Sequence, residues 1–303
     1  MKDPNRFCIL CSMFLVIGSS ARAQVKPIKK DNAAEKSSHW IAELAYQSND
    51  VYLGRRDSIS VPYVTPSIGY HDKSGLFLTG SFSYLPKTDM SRIDVVTIEG
   101  GWSYTSDDLS AEVSAAKDFY SDQSYAVSAE IKGRVSAHVS YDLGFIEPFV
   151  DLGASFSANA DVGLGFGLEH SFSFLKEKLE VDPAFRMNMG TQNYYANYYG
   201  KRRYSAKRNT GKGNNAALTT ANLVNASQFQ VMDYEWESSV EYKLNKRIKF
   251  SFTPSLAIPV NPSTVTLVTK SSGTTTSSTT SVEDLSPAFY FSLGVSYTFQ
   301  RRK

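Results

Sequence analysis

Four histidines, His39, His71, His138 and His170, are the side chains best suited to acid–base work in this sequence. His138-Val139-Ser140 sets an imidazole two positions from a hydroxyl, the pair that a base-activated nucleophile requires. The histidines show no metal-ligand spacing, so neither a metal nor a cofactor is expected. Gly163, Gly165 and Gly167 fall at every second position of an alternating segment, which makes them small residues on one face of a strand. That is not the geometry of a phosphate-binding loop. Carboxylates are more informative, because they too recur at alternate positions: Glu43, Glu99, Glu112, Asp118, Glu130, Glu147, Asp151, Asp161, Glu169, Glu180, Asp182, Glu235, Glu237 and Glu241. On the same parity stand only Lys132, Arg134, Arg186, Lys243 and Lys249. A separate basic run, Lys201, Arg202, Arg203, Lys207, Arg208 and Lys212, interleaves with Tyr194, Tyr195, Tyr198, Tyr199 and Tyr204, with no acid between Pro183 and Met232.

Such alternation requires β-strands to position it. In 125–143, Val127, Ala129, Ile131, Val135, Ala137, Val139 and Tyr141 share one parity, and Glu130, Lys132, Arg134, His138 and Ser140 the other. A period of two puts these sets on opposite faces of a strand, whereas a helix would smear both around its circumference. The same rule predicts strands at 40–48, 61–70, 76–85, 93–104 and 109–119. It continues at 146–157, 160–174, 179–191, 230–244, 248–258 and 288–299. With 125–143 they make about twelve. Connections at 71–75, 105–108, 142–145, 175–178 and 245–247 are short, and those at 49–60, 192–229 and 259–287 are long. Short turns on one side and long loops on the other suit an antiparallel up-and-down barrel across a membrane, with the short turns facing the periplasm.

The N-terminus fits an exported protein. Lys2 and Arg6 precede an apolar run over 7–18, and Ala21-Arg22-Ala23 supplies a small-residue cleavage site, so 1–23 reads as a secretory signal peptide. Residues 24–38 are polar and aperiodic, a flexible periplasmic lead-in, and 39–303 form the barrel. Both cysteines, Cys8 and Cys11, lie within the signal, which leaves no disulfide or thiolate ligand in the mature chain. Lys plus Arg number 32 against 30 Asp plus Glu, a balance that excludes a generally basic, nucleic-acid-binding surface. Aromatics gather at strand ends: Trp40, Tyr70, Trp102, Tyr104, Tyr141, Phe172, Tyr242 and Tyr297 on the inner side, Tyr46, Tyr84, Phe119, Tyr125, Phe156 and Trp236 on the outer. These are the two girdles of a membrane barrel.

The segment Ser292-Leu293-Gly294-Val295-Ser296-Tyr297-Thr298-Phe299 resembles the terminal assembly signal of bacterial outer-membrane β-barrel proteins, with Gly294 followed by the spaced aromatics Tyr297 and Phe299. Gln300 to Lys303 extend past the aromatic that usually ends such a chain. The resemblance implies outer-membrane localisation in a Gram-negative envelope and insertion by the barrel assembly machinery. The His138-x-Ser140 pair is also similar to that of outer-membrane acyl hydrolases, but its register points both side chains into the lumen near the periplasmic end. An enzyme is therefore not expected. Two readings stand: a porin-like, passive, cation-preferring channel for small hydrophilic solutes, and a non-conducting barrel that displays its loops for binding, adhesion or envelope structure. The basic loop is a site where lipopolysaccharide phosphates and sugars would meet Arg and Tyr.

Overall fold

In the computed structural model the described residues are 37–300, apart from 89, 200–217, 272–273 and 284. The predicted signal peptide, 1–23, and most of the predicted lead-in, 24–38, lie outside them. Sixteen strands follow in order. They are β1 (His39–Gln47), β2 (Tyr63–His71), β3 (Leu76–Leu85), β4 (Arg92–Thr105), β5 (Leu109–Tyr120), β6 (Gly133–Tyr141), β7 (Glu147–Phe156) and β8 (Ala160–Glu169). The second half comprises β9 (Phe172–Phe174), β10 (Leu179–Gly190), β11 (Leu218–Val224), β12 (Gln230–Lys243), β13 (Ile248–Pro259), β14 (Thr264–Ser271), β15 (Thr274–Val282) and β16 (Ala288–Gln300). Helix α1 spans Asn193–Tyr198.

Every neighbour in the main sheet is antiparallel, and the sheet closes where β10 pairs with β12 and where β16 pairs with β1. Stub β9 continues β8 along the edge of β10, so twelve staves complete the barrel. Closure leaves no unpaired edge, the condition for a sheet to sit in hydrocarbon. His39 opposes Gln300 across the β1–β16 seam, which puts the first and last barrel residues and all the short turns at one end. Those turns carry suitable chemistry. Asn245 Oδ1 accepts from the backbone N–H groups of Arg247 and Ile248, and Asp142 Oδ1 from that of Gly144, whose φ is 86°.

Burial is inverted relative to a water-soluble protein. Leu44, Ile68, Leu78, Phe82, Ile98, Val113, Val139, Leu152, Phe166, Phe185, Phe252 and Leu293 lie exposed on the outside, whereas Asp118, Asp151, Glu169, Arg134 and Arg186 are buried within. Trp40, Trp102, Tyr104, Tyr141, Phe172 and Tyr242 ring the short-turn end of this belt, and Tyr84, Phe119, Phe156 and Trp236 the other. An exterior of this kind in water would be one continuous aggregation-prone patch; in lipid it is satisfied. The chain is a transmembrane β-barrel of the outer-membrane class.

One predicted strand is cut short. Residues 125–132 do not extend β6: Val127–Glu130 form a 3-10 turn and the strand starts at Gly133. The partner strand explains this. β7 ends at Phe156, whose carbonyl takes the last bond from Lys132 N–H, so residues before 132 have no partner on the β7 side. Their apolar parity turns into the mouth instead. Tyr125, predicted for the outer girdle, packs against Val61, Tyr63 and Leu85 inside.

The predicted long connections also carry structure. Segment 192–229 contains α1 and β11, and segment 259–287 contains the β14–β15 hairpin, which joins β11 in a separate three-stranded sheet.

Candidate functional site

The barrel interior has two unlike walls. Along β1 to β3, β13 and β16 the inward residues are mainly short and hydroxylated. Ser67 opposes Ser81, and Thr65 and Ser83 share a hydrogen bond of 2.8 Å. Ser251, Thr253 and Ser255 continue this face on β13, opposite Gly294, Ser292 and Tyr290. The opposing wall, β5 to β10 and β12, is charged. Arg134 Nη2 lies 2.8 Å from Asp118, which also accepts from Thr97 Oγ1. Arg186 Nη2 sits 3.3 Å from Asp151 Oδ2 and directly across from Glu235 of β12. Phe149 stacks under the Arg186 guanidinium at 5.0 Å. Gly167 is required at that point, since a Cβ there would stand 1.9 Å from the Phe149 ring.

Towards the short-turn end, Glu147 and Glu169 are direct cross-strand neighbours, and Lys243 and Lys249 reach Glu180 and Glu241 at 3.4 and 3.5 Å. Glu43, Glu99 and Glu112 line the same half of the lumen and are only half-buried. Buried acids on this scale need cations or water around them, because an unpaired carboxylate in a dry interior is costly.

His138 and Ser140 both face inward but engage different carboxylates. His138 Nδ1 is 2.7 Å from Asp151 Oδ1, and Ser140 Oγ donates to Glu147 Oε1 at 2.6 Å. The hydroxyl is thus oriented by an acid and not by the imidazole, so these two side chains are not arranged as nucleophile and base. Among the described residues no three His, Cys, Asp or Glu side chains converge as a metal site.

The long-loop end of the lumen is filled. Tyr194, Tyr195, Tyr198 and Tyr199 of α1 and the residue after it pack with Tyr52 and Leu53 of the first long loop, with Val127 and Ile131 of the 3-10 turn, and with Met232 and Val265. Asp161, at the start of β8, holds α1 in place by accepting from the backbone N–H groups of Asn193 (2.6 Å) and Tyr194 (2.9 Å). Arg55, 1% exposed, is the centre of the latch. Its guanidinium donates to the carbonyls of Leu53, Met232, Val260 and Asn261, and lies 3.9 Å from Glu283. Tyr195 donates to Glu283 and Tyr198 to Asp57. Burial, then the neighbouring Glu283 carboxylate, pushes the Tyr195 phenol well above its ordinary pKa, so it stays protonated and keeps donating.

Of the sequence-predicted lumen charges, Arg134, Glu235, Glu237 and Glu241 are buried inside the barrel. Glu130 is buried in the 3-10 turn at the mouth, and Lys132 is exposed at the rim. Gly294, Tyr297 and Phe299 lie on β16, with the Tyr297 and Phe299 rings 4.7 Å apart. Lys201, Arg202, Arg203, Lys207, Arg208 and Lys212 lie outside the described residues.

Sequence reasoning missed Arg55, Asp94 and Asp233. A register shift between Ser83 and Tyr84 bulges β4 at Asp94 and turns it inward, where it accepts from Tyr63, Ser124 and Arg92. Its parity pointed outward. Asp233 has the inward parity and receives a 2.9 Å bond from Asn188 Nδ2, beside a second bulge.

No family model and no curated protein matches the chain. Among solved structures it is similar to the KdgM porin, at TM-score 0.46 and 9% identity over 86% of this chain and 99% of that one. It is also similar to the NanC porin (TM-score 0.44, 9% identity, 85% and 98% covered). A further match is LpxR from Salmonella typhimurium (TM-score 0.38, 10% identity, 85% and 99% covered).

Proposed function

We propose that this protein is a passive, cation-preferring outer-membrane channel for small hydrophilic solutes, whose extracellular mouth rests closed. The observation that carries the reading is the excess of carboxylates over cations on the inward face, from Glu43 and Glu112 to Asp118, Asp151, Glu169, Glu235, Glu237 and Glu241, against Arg134, Arg186, Lys243 and Lys249. Fixed negative charge in a narrow aqueous path raises the local cation concentration and repels anions. The hydroxylated wall supplies the space beside that charge, since Ser and Gly occupy little of a twelve-stranded lumen.

A second reading, a non-conducting barrel that displays its outer segments, is favoured by one feature: the Tyr-rich cluster that fills the mouth. Purified protein in a planar bilayer under a KCl gradient separates the two. A reversal potential of cation-selective sign, in the wild type or in a variant with the Arg55 latch weakened, supports the channel. Absence of conductance in both, or anion selectivity, overturns it. The proposal extends to partners: Lys201, Arg202, Arg203, Lys207 and Arg208 bind lipopolysaccharide phosphates, and Gly294, Tyr297 and Phe299 present β16 to the barrel assembly machinery.

A further inference from the structure

Lys117 is the exception in the apolar belt. Its neighbours on the outward parity of β5 are Leu109, Ala111, Val113, Ala115 and Phe119, and its side chain is exposed on that face. An ammonium pointed at mid-bilayer hydrocarbon is unfavourable, and the cost fades towards the interface. Cross-strand register gives its depth. Lys117 pairs with Gly133, the first residue of β6; Gly133 pairs with Phe156, the last of β7; and Phe156 pairs with Ala160, the first of β8. On this side of the barrel the hydrogen-bonded row through the lysine thus runs along the last pairs of β6, β7 and β8, next to the rim opposite the short turns. Its Nζ lies 5.8 Å from the centre of the Phe119 ring, one outward position nearer the loops. The charge is therefore drawn towards the headgroup level and held over an aromatic face. Beside it Gly133 has no side chain, which leaves a notch between the Lys117 stem and the Phe156 ring.

We propose that Lys117, with Phe119, Gly133 and Phe156, binds a phosphate of an outer-leaflet lipopolysaccharide molecule whose acyl chain lies along the adjoining apolar surface. Charge complementarity selects the occupant: a cation near the rim, on a lipid-facing surface whose other described outward stave residues are uncharged, matches an anionic group bonded to hydrocarbon. The lipid A part of lipopolysaccharide joins phosphate and acyl chains in that way. The inference rests on the outer-membrane reading but not on conduction, and it is independent of the basic loop.

The test is native mass spectrometry of the full mature chain, refolded in detergent and titrated with bisphosphorylated lipid A, its dephosphorylated form, or phosphatidylethanolamine. Heat-modifiable gel migration first establishes that each sample is a folded barrel, so failure of the barrel reading is scored separately. Wild type and Lys117→Arg should retain bisphosphorylated lipid A about tenfold better than Lys117→Gln, a one-charge-pair effect. All three should hold the dephosphorylated form equally. Equal retention of bisphosphorylated lipid A by wild type and Lys117→Gln overturns the site. A Lys117-dependent preference for phosphatidylethanolamine overturns the assignment to lipopolysaccharide.

Discussion

Asp151 of β7 joins side chains of β6 and β10: His138 at 2.7 Å and Arg186 at 3.3 Å, with the carboxylate and the guanidinium both buried. Removing one partner of a buried pair leaves the other charge uncompensated, which costs on the order of 3 kcal/mol. Asp151→Ala should therefore lower the urea midpoint of the folded barrel substantially, and a loss below about 1 kcal/mol would show that Arg186 rests on Glu235 instead. At the short-turn end a single carboxylate shows how hydrogen bonds act without burial. Asp72, in the β2–β3 turn, accepts from Ser38 Oγ at 2.6 Å and from the Ser74 backbone N–H at 2.9 Å. These bonds, that of Ser38 foremost, hold its carboxyl well below the usual carboxylate range. Its folded pKa is depressed, so what it contributes is present above the unfolded value and is lost as pH falls through the folded one. Ser38→Ala should raise the Asp72 pKa towards the ordinary range, read from its carboxyl carbon shift in an NMR titration. An unmoved titration would rule Ser38 out as the main cause.

At the level of elements, the mouth is closed by segments that belong to four different connections, and Arg55 joins three of them: its own loop, the 260–287 connection and, through the Tyr195 ring, α1. Its four carbonyl acceptors and Glu283 tie the first long loop to β12 and to both ends of the 260–287 connection. Arg55→Gln together with Tyr195→Phe removes both charged bonds to Glu283 while leaving every stave of the barrel intact. Hydrogen exchange in 48–62 and 191–199 should accelerate by tenfold or more, the staves should stay protected, and single-channel conductance should rise. Unchanged exchange would mean that packing of Tyr52, Tyr194 and Tyr198, and not the latch, closes the mouth. The same elements mark where sequence reading stopped. Parity located all the staves because an apolar exterior and a polar interior are enforced at every second residue. It ran past the end of β6 because Val127, Ala129 and Ile131 alternate as a strand would, and periodicity says nothing about whether a partner is present. The bulge at Asp94 was equally silent, since one extra residue inverts parity without altering composition. Arg55 lies in a loop with no periodicity at all, so nothing but its contacts identifies it.

For the whole molecule, the uneven lumen makes the function testable. Glu235, Glu237 and Glu241 all lie on the inward face of β12, and register sets Glu235 across from Arg186 and Glu237 across from Ala184. Glu241 reaches Lys249 at 3.5 Å. Glu241 is thus set beside Lys249, and Glu235 and Glu237 both lie in the field of Arg186. Replacing all three with Gln removes three carboxylates, which leaves Lys249 without Glu241 and makes the surroundings of Arg186 less acidic, although Arg186 keeps Asp151 at 3.3 Å. Cation selectivity should then fall or invert. The fold should persist, because lumenal substitutions tune permeation more than stability and Gln keeps the volume and hydrogen-bonding capacity of Glu. The reversal potential in a tenfold KCl gradient measures this directly. On a perfectly cation-selective path it approaches about 59 mV in magnitude, the single-charge limit, and in the triple variant it should move towards zero or beyond. If the triple variant remains as cation-selective as the wild type, ions take a path along the hydroxylated wall beyond the reach of β12, and Glu43, Glu99 and Glu112 become the charges that set selectivity.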